Sequence, residues 1–193
     1  MSPGTARTMV RSLRLGKHGS RVRRNGVLEE VPLAQRWRNI DFAGGSATAI
    51  AIPWGDLATA WFSTGIPNIE TYAAVPRAAA ISSRALNWVQ PLLKSALGQT
   101  LLRQLANRAS GPSEEQLRTG RSRLWGEVRN TAGERRTAKL ETANGYRLTA
   151  DGTIMAVQYM LTNAPPGGYY TPSMLLGARC VERLPGSTSI RVE

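Results

Sequence analysis

The stretch Pro53–Tyr72, PWGDLATAWFSTGIPNIETY, decides how the rest of the chain is read. Pro53 ends the strand pattern before it, because a ring nitrogen without N–H cannot extend a ladder. Asp56 stands where a helix N-cap is wanted, and Leu57 to Ala60 read as the first turn of a short helix. Gly65 and Pro67 break that helix. Ile69, Thr71 and Ala73 then alternate with Glu70, Tyr72 and Ala74, the two-residue period of a strand. Helix and strand thus follow one another within twenty residues, in a window that also holds Trp54 and Trp61.

Upstream of this corner the signals are those of antiparallel strands. Asn25-Gly26 supplies the positive φ angles of a type I′ turn, so residues 21–31 read as a hairpin. Residues 37–42 and 47–52 read as two further strands joined at Gly44-Gly45, the second alternating Ala47, Ala49 and Ala51 with Thr48, Ile50 and Ile52. At the start of the chain, Ser2-Pro3 signals a helix with Met9, Val10 and Leu13 on its apolar face and Gly16 at its end.

Downstream, residues 77–109 carry a helical pattern. Ile81, Ala85, Trp88 and Leu92 form one stripe, and Leu93, Leu97, Leu101 and Leu105 continue at four-residue spacing. Pro91 kinks or divides this segment, and Gly111-Pro112 closes it. Ser113 and Gln116 have capping-box spacing. Residues 121–142 read as a second hairpin, with Leu124, Gly126 and Val128 sharing a face, as do Ala138 and Leu140 on the return strand. A helix follows over 148–161, with Thr149 or Asp151 near its start and Ile154, Val157 and Leu161 inward. Thr171-Pro172 opens a last short helix, and residues 188–192 close with a strand. The sum is an α+β chain, a mostly antiparallel mixed sheet with helices packed on one face, expected as a single domain over residues 1–193.

Composition narrows the function classes. With 41% hydrophobic and 20% charged residues the chain is globular in type. It has no run of about 18 apolar residues, the length a membrane span needs, and no signal-peptide core, so a cytoplasmic location is expected. Cys180 is the only cysteine, which excludes an internal disulfide and a cysteine-based zinc cluster, and His18 the only histidine, which disfavours hydrolase triads. The net charge is +12, and with lysine only at positions 17, 94 and 139, 22 of the 25 basic residues are arginines. They are dispersed along the chain without a recognition motif, which disfavours nucleic acid as a partner.

Neither G-x-G-x-x-G nor a P-loop occurs, so no cofactor is expected to bind through this chain alone. Trp54, Asp56, Thr59, Ser63 and Thr64 surround one short helix. They read either as a substrate-binding wall of indole and hydroxyls, or as an N-cap (Asp56) with core tryptophans. Tyr169 and Tyr170, with Thr171 after them, follow a Pro/Gly loop of the kind that closes over a ligand, or else cover a helix end. The adjacent pairs Glu29-Glu30 and Glu114-Glu115 read as surface charge, Cys180 as a small buried hydrophobe on a helix face, and His18 as a loop residue. Catalytic residues and metal ligands are not assigned.

Several stretches taken together carry a resemblance. SPGTARTMV, IPWGDLATAWFSTGIPNIETY, the hairpin with LWGEVR and LETANGYRLTADG, and GGYYTPSMLLGARCVERLPG resemble, in order, the C-terminal half of saccharopine dehydrogenase-like oxidoreductases, the group that includes trans-acting enoyl reductases. The resemblance implies an NAD(P)-dependent enzyme with an N-terminal Rossmann domain and a C-terminal α+β domain. The latter supplies a central sheet, the substrate side of the cleft and often a dimer contact. On that reading this chain is the substrate-side domain without its nucleotide domain, inactive alone. Its expected partners are a small-molecule substrate, a second copy or a separate nucleotide-binding partner. The rival reading is a non-catalytic basic module that binds an acidic protein, nucleic acid or lipid headgroups.

Overall fold

The structure, a computed structural model, describes residues 4, 7–8, 19–32, 36–85, 92, 95–108 and 110–193. The fold class is α+β, as expected, with the strands distributed over three small sheets. The chain divides into two compact units, one of Met1–Ile40 with Ala47–Pro112 and one of Asp41–Ser46 with Ser113–Glu193. Most of the expected N-terminal helix, His18 and the Trp88–Pro91 region lie outside the described residues, although Gly4, Arg7 and Thr8 are helical.

In the first unit, β1 (Gly19–Arg24) and β2 (Val27–Pro32) form an antiparallel hairpin with Arg24 opposite Val27. Its two loop residues have φ of 48° at Asn25 and 80° at Gly26, the left-handed pair that a type I′ turn demands. β3 (Trp37–Phe42), β4 (Gly45–Ala51) and β5 (Tyr72–Ala74) make a second sheet in that order. Between β4 and β5 lies α1 (Asp56–Thr64), which ends at Gly65 in the left-handed conformation at φ 68°. The strand expected from Ile69 is shorter than its alternation suggests. Ile69 instead bridges Arg23 through two backbone hydrogen bonds of 2.9 and 3.0 Å, before the chain turns to pair with β4. The returning segment therefore ties the hairpin to the second sheet. Ile50 and Ala80, with Ile52 and Val75 against them, form the packed centre of this unit, and Val22 is fully buried.

The helices of this unit give the apolar stripe its direction. α2 (Arg77–Ala85) buries Ala80 and Ser83 and leaves Ile81 exposed. α3 (Ala96–Asn107), capped by Ser95 whose Oγ accepts from Gly98 N at 3.1 Å, buries Gly98, Gln99 and Ala106. Leu97, Leu101 and Leu105 stay 68%, 53% and 62% exposed. Four-residue spacing marks an apolar stripe but not its direction; here Gly98, Gln99 and Ala106 are the buried positions.

In the second unit, α4 (Glu114–Thr119) carries the expected capping box in full, with Gln116 N donating to Ser113 Oγ at 3.2 Å and Ser113 N to Gln116 Oε1 at 3.0 Å. β6 (Arg121–Arg129) and β7 (Arg135–Ala143) pair antiparallel, and β8 (Arg191–Val192) adds to β7. Leu124 opposite Leu140 and Gly126 opposite Ala138 place the predicted residues on one face. The following helix, α5 (Gly145–Asn163), starts earlier than expected because Asn144 caps it, its Oδ1 accepting from Tyr146 N at 3.0 Å. Ile154, Val157 and Leu161, expected inward, are exposed. Leu148, Gly152, Met155 and Tyr159 are half-buried instead, and a Cβ at Gly152 would lie 3.6 Å from the Leu184 side chain. Thr171 caps α6 (Pro172–Leu176) with Pro172 at its first position, as read from sequence. Cys180 opens a short 3-10 helix (Cys180–Arg183) and is half-buried, rather than sealed in an apolar helix face.

Candidate functional site

The Pro53–Tyr72 corner is held by a side chain that sequence reasoning passed over. Arg23 is only 7% exposed. Its Nε donates to Leu57 O at 2.7 Å, its Nη1 donates to Gly26 O, and its guanidinium sits 5.2 Å from the centre of the Trp61 ring. A buried arginine is tolerable because those carbonyls and the indole face replace its hydration. Trp61 in turn covers the hairpin turn, so a Cβ on Gly26 would stand 3.3 Å from its ring. Trp61 is therefore a structural residue that clamps α1 to the β1–β2 turn.

Asp56 is not the cap of α1. Gly55 takes that place without a side-chain bond, and Asp56 occupies the first turn, where its carboxylate complements the helix dipole. Asp56, Thr59 and Ser63 share one helix face by spacing, with Thr64 beside them. Their hydroxyls are turned back on the helix. Thr59 donates to Gly55 O at 3.4 Å, Ser63 to Thr59 O at 2.8 Å and Thr64 to Ala60 O at 2.6 Å. Trp54, 52% exposed, is the large open surface in this group. A polar cluster at the end of the corner was also missed. Tyr72 donates its hydroxyl to Glu70 Oε2, while Arg36 Nη1 reaches Glu70 Oε1 at 2.7 Å and Arg38 lies 5.8 Å from the Tyr72 ring centre. Burial first, then the Glu70 hydrogen bond, pushes the Tyr72 phenol up to about 12. Its only sequence signal is the alternation of Glu70 and Tyr72 on one strand face.

Tyr169 and Tyr170 belong to the second unit, apart from these five residues in the division of the chain. They close a cleft of about 480 Å3 with Met160, the 164–168 loop and Leu175. Small-molecule sites commonly span about 300–1,000 Å3, so this cleft is of useful size. The loop begins at Ala164, left-handed at φ 42° as the C-cap of α5, and Tyr170 folds back to donate to Pro166 O at 2.9 Å. The lining is dominated by proline, tyrosine and aliphatic groups, which suits an apolar ligand part. Among the described residues no group of three or more His, Cys, Asp or Glu could hold a metal ion.

Among the described residues, the turn between β4 and α1 has one glycine, Gly55, and Asp56 puts a carboxylate in the first turn of α1, which disfavours a phosphate at that helix end. Gly44-Gly45 joins two strands, and Gly167-Gly168 follows a helix rather than a strand.

No family model, curated protein or solved structure matches this chain. The likeness to saccharopine dehydrogenase-like oxidoreductases therefore rests on the residues quoted above.

Proposed function

We propose that the chain is the substrate-side domain of a saccharopine dehydrogenase-like, NAD(P)-dependent oxidoreductase, and that it holds the organic substrate while other residues hold the nucleotide. The observation that carries this reading is the apolar cleft lined by Tyr169 and Tyr170, to which one of the stretches carrying the family resemblance, residues 167–186, contributes Gly167, Gly168, both tyrosines and Leu175. The nucleotide, when bound, supplies the hydride. The chain's own contribution is to bind and orient: the Tyr169–Tyr170 loop packs on the apolar part of the substrate, and its proline and leucine neighbours exclude water. The reading carries a cytoplasmic location and a homodimer or a separate nucleotide-binding partner with it.

The test uses the chain as it stands, titrated with an aliphatic ketone such as 2-octanone and separately with NADPH. Saturable NMR shifts centred on Met160, Tyr169 and Tyr170 are expected for the ketone, weakened about fivefold or more by Tyr170→Ala. NADPH is expected to give no saturable calorimetric heat. Tight NADPH binding, or ketone shifts that avoid the cleft, would sink the reading.

A further inference from the structure

The charge of this chain is not shared evenly between its units. The first unit contains 14 basic and 4 acidic residues, net +10, and the second 11 basic and 9 acidic, net +2. Within the first unit the imbalance is sharpest from residue 71 to residue 112. No acidic residue occurs there, while Arg77, Arg84, Lys94, Arg103 and Arg108 do. This acid-free span contains α3, whose Leu97, Leu101 and Leu105 face outward one turn apart. Arg108 caps the helix at the end of that stripe, and Arg7 adds another cation there, its Nε donating to Asn107 Oδ1 at 2.9 Å. Two independent features therefore coincide: a row of exposed leucines, and a surrounding sequence with cations and no carboxylates.

Three leucines in line on an open helix edge do not by themselves name a partner, since Ile154, Val157 and Leu161 of α5 are exposed too; what sets the leucines of α3 apart is the basic, acid-free span around them. A basic surface that binds polyanions by phosphate contacts alone has no use for them. The pairing of an apolar stripe with uncompensated cations is what an interfacial helix uses: leucines enter the boundary between headgroups and acyl chains, and cations stay at the anionic headgroups. Among the described residues no helix is long and apolar enough to cross a membrane. The contact meant here lies flat on the surface. We infer that α3 is a docking face for an anionic lipid bilayer, with Leu97, Leu101 and Leu105 as the inserted edge and Arg108 and Arg7, at the end of that edge, among its headgroup contacts. This inference does not use the oxidoreductase reading and stands or falls separately from it.

The experiment is co-sedimentation of the full chain with vesicles of phosphatidylglycerol and phosphatidylcholine, against vesicles of phosphatidylcholine alone. Binding to the anionic vesicles only is expected, falling as salt is raised. Leu101→Asp is expected to cut the partition about tenfold or more, and Arg7→Ala with Arg108→Ala to cut it severalfold. Because Leu101 is already exposed, its variant should keep the wild-type far-UV circular dichroism; Leu101→Gln gives a milder second reading. The inference is overturned if the chain ignores anionic vesicles, or if Leu101→Asp and Leu101→Gln both bind them as well as wild type. It is equally overturned if the leucine variants convert a dimer to a monomer by sedimentation velocity while vesicle binding persists. Binding to polyphosphate or single-stranded nucleic acid as tight as to vesicles, and unaffected by the leucine variants, would make the surface a general polyanion site instead.

Discussion

Arg23 shows how much one side chain settles at the residue scale. It joins hairpin, helix and aromatic ring, so Arg23→Ala removes two carbonyl contacts and the Trp61 interaction together. A loss of about 2–4 kcal/mol is expected by urea denaturation, and Arg23→Lys should recover only part of it, since an ammonium lacks the fork geometry. Gly26→Ala meets both a φ of 80° and the Trp61 ring, and should cost about 1–2 kcal/mol by the same assay. Tyr72 adds a pH dependence. Its folded pKa of about 12 stands above the ordinary 10.0, so its contribution is full below pH 10 and is lost as pH rises through 12. After discounting for solvent at this part-exposed group, the change is on the order of 1 kcal/mol. Stability measured between pH 8 and 12 should fall in wild type and fall less in Tyr72→Phe.

At the scale of elements, some capping signals held and others shifted along the chain. The Ser113–Gln116 box is complete, and Ser113→Ala should lower stability by about 1 kcal/mol in a chemical melt. Asn144 caps α5 ahead of the expected start, because an asparagine before Gly145 can reach Tyr146 N and the later Thr149 and Asp151 are interior to the helix. The apolar periodicity of α3 and α5 was real, but Ile154, Val157 and Leu161, expected inward on α5, are exposed, and the leucine stripe of α3 is exposed as well. Leucine-to-alanine changes at positions 97, 101 and 105 should each cost less than about 1 kcal/mol, far below the roughly 2–5 kcal/mol of a buried leucine. A large loss at any of them would show that the face is covered.

For the whole molecule, the uneven charge is the property with a direct readout. Arg103→Glu with Arg108→Glu and Arg129→Glu with Arg135→Glu each change the net charge equally. The first pair lies in the unit of net +10, whereas Arg129 and Arg135 already face Glu127 at 3.2 and 3.6 Å. The first pair should therefore shorten retention on a cation exchanger more than the second. Equal shifts would mean that total charge alone, not its placement, governs the surface.

The sequence by itself determined the α+β class, the Asn25-Gly26 and Gly65 turns, the strand pairs, the capping box and the lack of a phosphate loop. Each of these depends on backbone chemistry within a few residues. Tertiary structure decided which helix faces are open, that Gly55 rather than Asp56 caps α1, that the hydroxyls of Thr59, Ser63 and Thr64 are spent on their own helix, and that Arg23 is buried. It also brought Tyr169 and Tyr170 to a cleft with Met160 and Leu175. None of this was legible along the chain. The inward face of a helix is set by what lies opposite it, and a charge enters a core only where distant carbonyls and a ring are waiting for it.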